Sequence, residues 1–197
     1  MTDTGTTPGP LVAAPGPTPS QTVGPFFHGG LVPDGGHHVV PADHPAALLL
    51  SGRVLDGAGD PVTDAMVEVW QLDPDGLAAP GSSLAGFTGA GRVAADATGT
   101  YRVRVVAPPP TTTVDGVPQV PHLDLVLHAR GVMRHLVTRA YVPPGDPAAA
   151  RDAMAADPVL SRLEASLRDR LLARPDDDGL RFDIVLQGPD ETPFFDV

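Results

Sequence analysis

The sequence predicts a mainly-β fold, a sandwich or a barrel, with one or two short helices and long loops. Three observations point there. Short segments with period-two alternation recur through the middle of the chain. The 197 residues include 24 Pro and 22 Gly, which punctuate the chain too often for long helices. Helical signals gather behind two Asp-Pro dipeptides, Asp146-Pro147 and Asp157-Pro158.

Residues 1–17 are rich in Thr, Gly, Pro and Ala without apolar periodicity, and read as a mobile arm ahead of one domain over 18–197. In 18–31, Pro19, Gly24 and Pro25 impose an irregular backbone, while Val23, Phe26 and Phe27 need burial; an ordered loop packed on something is expected. Residues 33–45 are turn-rich and carry His37, His38 and His44. Strands are expected at 48–55, 65–71, 91–93 and 101–105, with turns at Asp56-Gly57-Ala58-Gly59-Asp60-Pro61 and Asp96-Ala97-Thr98-Gly99. The Tyr101-Arg102-Val103-Arg104-Val105 alternation marks a strand buried on one face. A long loop over 108–121 follows, then β-like segments at 122–129, 136–142 and 182–187. Between them, Asp157 caps a helix striped by Leu160, Leu163, Leu167 and Leu171, and Asp146-Pro147 opens a shorter one.

Composition removes whole classes of chemistry. No Cys is present, which excludes disulfides, thiolate ligands and cysteine nucleophiles. All 13 basic residues are Arg, so Schiff-base and phosphate-loop lysines are excluded too. A formal charge of −11 opposes binding to phosphate backbones and anionic membranes. The N-terminal stretch has no basic residue and is broken by Pro8, Pro10, Pro15 and Pro17, so a cytoplasmic protein is expected.

The candidates for chemistry are few. His122 and Asp124 share one face of a strand, as two metal ligands would, but two ligands need others nearby, and a lone strand His is more often a hydrogen-bonded structural residue. His37-His38 point apart if extended. The Asp176-Asp177-Asp178 run ahead of Gly179 is a cation site or a solvated turn, and the glycine-rich 86–91 leads into a strand as a turn does. Arg130 ends an apolar strand just before Gly131. It is either a surface charge or a fixed guanidinium able to take a carboxylate bidentately.

One longer pattern is specific. Thr18-Pro19-Ser20-Gln21-Thr22-Val23-Gly24-Pro25-Phe26-Phe27-His28 resembles the N-terminal signature of the intradiol dioxygenases. The resemblance continues through Gly52-Arg53-Val54, Asp64-Ala65-Met66-Val67-Glu68-Val69-Trp70-Gln71, Gly99-Thr100-Tyr101, Pro121-His122, Ala129-Arg130-Gly131 and Thr138-Arg139-Ala140-Tyr141. It runs on through Asp157-Pro158-Val159-Leu160 to Arg181-Phe182-Asp183-Ile184-Val185-Leu186-Gln187-Gly188 and Glu191-Thr192-Pro193-Phe194-Phe195-Asp196. It implies a β-sandwich of mixed topology and O2-dependent opening of a catechol ring between its hydroxyls at a mononuclear Fe(III) held by two Tyr and two His. Phenolate donors favour the ferric state.

The chain departs from that ligand set. Its two tyrosines, Tyr101 and Tyr141, match strand positions that do not bind metal, and no Tyr lies in 72–85 or 106–120. His122 matches one His of the pair, and Asp124 stands at the other. The resemblance is closest to the alpha chains of family members built from two homologous chains. It implies that this chain holds no metal and no catalytic residue of its own, with Fe(III) in a partner beta chain of a hetero-oligomer. Thr22, Gly24, Pro25 and Phe26 would wall the pocket for protocatechuate, and Arg130 would meet its carboxylate. Phe26 stands where Tyr is frequent, so a phenol hydrogen bond to the pocket would be missing, and Thr111-Thr112-Thr113 has no clear family counterpart. Val23, Phe26 and Phe27 would be covered by the partner. Two further readings compete: a metal kept here by His122, Asp124 and distant residues, or a transthyretin-like binding module, whose pattern resembles 52–70 only.

Overall fold

The alternation resolves into two facing sheets in the computed structural model, which describes residues 16–24, 27–113 and 115–196. The expected arm lies, over 1–15, outside the described residues. In chain order the elements are α1 (Phe27–Leu31), β1 (Leu48–Leu55), β2 (Met66–Trp70), β3 (Ala90–Ala94) and β4 (Thr100–Val105). Next come β5 (Thr111–Thr112), β6 (Pro118–Gln119), β7 (His122–His128), β8 (Leu136–Tyr141) and α2 (Pro147–Ala156). A single 3-10 turn (Leu160–Arg162), α3 (Ala165–Asp169), β9 (Arg174–Asp176), β10 (Gly179–Arg181) and β11 (Ile184–Val185) complete them.

One sheet is antiparallel, in the order β3-β2-β7-β8. The other is mixed: β1 is flanked by antiparallel β4 on one side and by parallel β10 and β11 on the other, with β9 beyond β10. The two form a sandwich, not a barrel. Leu50 and Val54 of β1 and Tyr101, Val103 and Val105 of β4 face Val67 and Val69 of β2 and Leu123, Leu125 and Leu127 of β7. These side chains are all wholly or almost wholly buried. Each buried Leu or Val adds about 1.5–3 kcal/mol relative to exposure, which is why the period-two pattern specifies the strand faces.

Four expectations need correction. Residues 27–31 form a short helix where an irregular loop is expected. The 108–121 loop contains the β5–β6 hairpin. The 182–187 strand begins earlier and breaks at Phe182, whose carbonyl turns to accept the buried Tyr101 hydroxyl at 2.5 Å. The longest helix among the described residues is α2, capped by Asp146 accepting from Ala149 N at 2.7 Å. The chain after Asp157 forms no continuous helix. Leu163 and Glu164 are extended, with ψ of 149° and 154°.

The reason is packing. Leu160 and Leu171 both bury beside Val120 and Tyr141 in a second core. A straight helix would set them about 16 Å apart at 1.5 Å per residue. The break at 163–164 returns Leu171 to the β8 end, where Tyr141 N donates to Leu171 O and Ala173 N to Tyr141 O, both at 2.8 Å.

Candidate functional site

Arg130 stands at the turn beyond β7, and ladder register supplies its neighbour. β2 and β7 pair antiparallel with Met66 opposite His128; two residues further out, that register sets Asp64 against Arg130. Arg130 Nε donates to the Asp64 carboxylate. The Asp64 side chain is 22% exposed and that of Arg130 63%, so an anchored acid holds a projecting guanidinium. The Arg130 Nη groups meet no hydrogen-bond partner among the described residues.

The segment before α1 docks on this turn. Gly131 N donates to Thr22 Oγ1 at 2.7 Å, which leaves the Thr22 hydroxyl proton to donate elsewhere. Gly131 itself has φ +84°, a left-handed conformation suited to Gly. Thr22 and Gly24 are exposed, and Val23 is half-buried. Pro25 and Phe26 lie outside the described residues. The fold thus brings Thr22 to the Arg130 turn.

Behind the segment, a cleft of about 350 Å³ is lined by Gln21, Val23, His128, Val132, Met133 and His135, among others. The His128 ring lies 5.4 Å from that of Phe27 and 5.9 Å from that of His135. Burial chiefly holds the His128 pKa below its usual value; His135 and Arg92 lower it further, and Glu68 opposes them. Arg92 bonds Glu68 at 2.6 Å and donates to Leu31 O at 2.9 Å, which fastens α1 to the sheet. Asp64, His128 and His135 escaped the sequence argument. Only pairing across strands reveals the first, and the outward parity of β7 is the signal for His128.

The other candidates stand elsewhere. The His37 and His38 rings meet at a tilt of 54° with centroids 4.0 Å apart, and His38 bridges to Arg104 of β4. His44 Nδ1 accepts from Ala46 N within its own turn. Asp177 and Asp178 are exposed between β9 and β10, in the solvated turn.

The donor set around β7 does not fit a ferric centre. His122 is engaged through Nδ1 with Val120 O at 2.8 Å, and its Nε2 is 4.0 Å from Asp124. Burial lowers its pKa. Asp124 accepts from Arg139 Nε at 2.8 Å, and Arg139 also reaches the Tyr141 hydroxyl at 3.5 Å. Burial pushes the Tyr141 phenol up to about 12, against the opposing effect of Arg139. A guanidinium is thus bonded to two of the donors, Asp124 and Tyr141, that a metal would need for itself. Among the described residues no three His, Asp or Glu side chains converge on one point.

Residues 33–188 match the family model described as Dioxygenase. The protocatechuate 3,4-dioxygenase alpha chain of Burkholderia cepacia is 39% identical, over 91% of this chain and 97% of that one. The chain belongs to the intradiol dioxygenase family. The beta chain of the same Burkholderia enzyme is 35% identical over 74% of this chain and 66% of that one, as expected of homologous alpha and beta chains. Catechol 1,2-dioxygenase from Pseudomonas arvilla C-1 superposes with a TM-score of 0.57, at 24% identity, over 79% of this chain and 58% of that one. That likeness supports the intradiol dioxygenase fold: a mixed sheet packed on an antiparallel one.

Proposed function

We propose that this chain is the iron-free alpha subunit of a protocatechuate 3,4-dioxygenase. In this reading the turn around Arg130 completes the substrate pocket of an iron-bearing beta subunit. The complex cleaves protocatechuate with O2 to 3-carboxy-cis,cis-muconate, and the Fe(III) of the beta chain supplies the oxygen chemistry. The observation that carries the reading is the docking of Thr22 on Gly131, which sets the 20–24 segment beside a guanidinium with an open edge.

This chain's own contribution is binding. The two Nη groups of Arg130 offer parallel N–H donors to the ring carboxylate. The Thr22 hydroxyl, its oxygen already accepting from Gly131, has its proton to donate into the pocket. Catechol, which lacks the carboxylate, gains nothing from Arg130 and binds less well.

The test is iron content and visible absorption of the chain purified alone and with its candidate beta partner. A colourless, iron-free lone chain that joins a coloured, active complex is expected. Stoichiometric iron in the lone chain would overturn the proposal. In the complex, Arg130→Ala should raise KM for protocatechuate about 10- to 100-fold, equivalent to one charge-assisted hydrogen-bonded pair.

A further inference from the structure

We infer that Asp64 is a positioning residue for Arg130: it holds the guanidinium so that its outer edge faces the substrate carboxylate. The inference rests on the role of Arg130 proposed above. Asp64 is well placed to act as an anchor. It adjoins Ala65, which is wholly buried and whose carbonyl accepts from Ala95 N at 2.8 Å. Arg130 is held from two sides, its side chain by Asp64 and the next peptide by Thr22.

A guanidinium has five N–H donors in a rigid plane. With Nε committed to Asp64, the Nη edge is left to present two parallel donors to a second carboxylate. Two effects of Asp64 oppose each other. It removes rotamer freedom that Arg130 would otherwise lose on binding, and it cancels part of the positive charge. In the lone chain the Arg130 side chain is 63% exposed, so without Asp64 it would sample many rotamers and lose them all on meeting the substrate. Orientation wins, and losing Asp64 should weaken carboxylate binding.

The experiment uses the complex with the beta chain and steady-state kinetics on protocatechuate and catechol. Asp64→Ala should raise KM for protocatechuate about five- to tenfold, with kcat within about twofold and the catechol KM unmoved. Asp64→Asn, which keeps an oxygen acceptor for Nε, should restore most of the loss. Asp64→Ala added to Arg130→Ala should cost nothing more. Asp64→Ser, too short to reach Nε, gives the same reading if the alanine variant fails to assemble.

An unchanged KM in both short variants would overturn the inference. A lowered KM would too, since Asp64 would then be a competitor. So would an equal rise for catechol, which marks a structural defect, or an additive double variant. If Arg130→Ala leaves KM unchanged, the role of Arg130 itself falls, and Asp64 with it. If Arg130→Ala raises KM and Asp64→Ala does not, Asp64 alone falls.

Discussion

Gly52→Ala tests a close backbone approach in the sandwich. A Cβ on Gly52 would lie 1.8 Å from Phe182 O, 2.6 Å from Phe182 C and 2.9 Å from Tyr101 Cε1. Ordinary contact begins at 3.4 Å, so the Phe182 peptide would have to retreat by about 1.6 Å. It is not free to do so. Phe182 N donates to Ser51 O at 2.8 Å, and Arg53 N donates to Asp183 at 2.8 Å. Retreat would also strip the buried Tyr101 hydroxyl of its acceptor. Overpacking costs about 1–3 kcal/mol and an orphaned buried hydroxyl about 1–3 more. The middle of that range, ~4 kcal/mol, is a large part of the ~5–15 kcal/mol available to a domain. At about 2–4 °C per kcal/mol, Tm should fall by roughly 8–16 °C. Thermal unfolding followed by circular dichroism reads this directly. Gly145→Ala, whose added Cβ meets nothing within 4 Å, is the control and should move Tm little. A fall below about 2 °C in Gly52→Ala would refute the argument, because the two strands could then part at no cost.

Other outcomes follow from single contacts. Thr22→Val removes the acceptor for Gly131 N without changing shape; faster hydrogen exchange at the Gly131 amide is expected, with a raised KM in the complex. Asp157 is wholly buried and accepts from Val120, Val159 and Leu160 N–H groups, so Asp157→Ala should cost about 3 kcal/mol or more in urea unfolding, and Asp157→Asn less. His38, His122 and His128 all have pKa values held below the usual 6.5, chiefly by burial. Below 6.5 the unfolded chain therefore binds more protons than the folded one. Stability should level off about one unit above 6.5 and decline as the pH falls from there towards the folded values. His122→Gln should flatten that decline, and an unchanged slope would remove His122 from the set.

The strands were legible for a simple reason. On β4 and β7 one face meets the core and the other does not, so burial writes itself into the sequence at period two. The helical region was not legible. The Leu160-to-Leu171 stripe has helical spacing, yet both ends are claimed by one site around Tyr141, and a tertiary contact overrode local propensity. The small β5–β6 hairpin, two residues on each strand, is too short for periodicity to register.

The candidate site divides along the same line. The amino-acid sequence alone determined the absence of Cys and Lys, the lack of loop tyrosines to bind iron, the sheet faces, and the intradiol resemblance that the relatives bear out. Arg130 was visible as a candidate for the same reason, since a lone cation before Gly131 is a local feature. Only the tertiary structure decided what Arg130 touches. Its partner Asp64 is 66 residues away, and Thr22 is 109 residues from the Gly131 it docks on. Local patterns report how a residue meets solvent or core. Which distant residue shares its space depends on strand order and register, and those are set only when the two sheets pack.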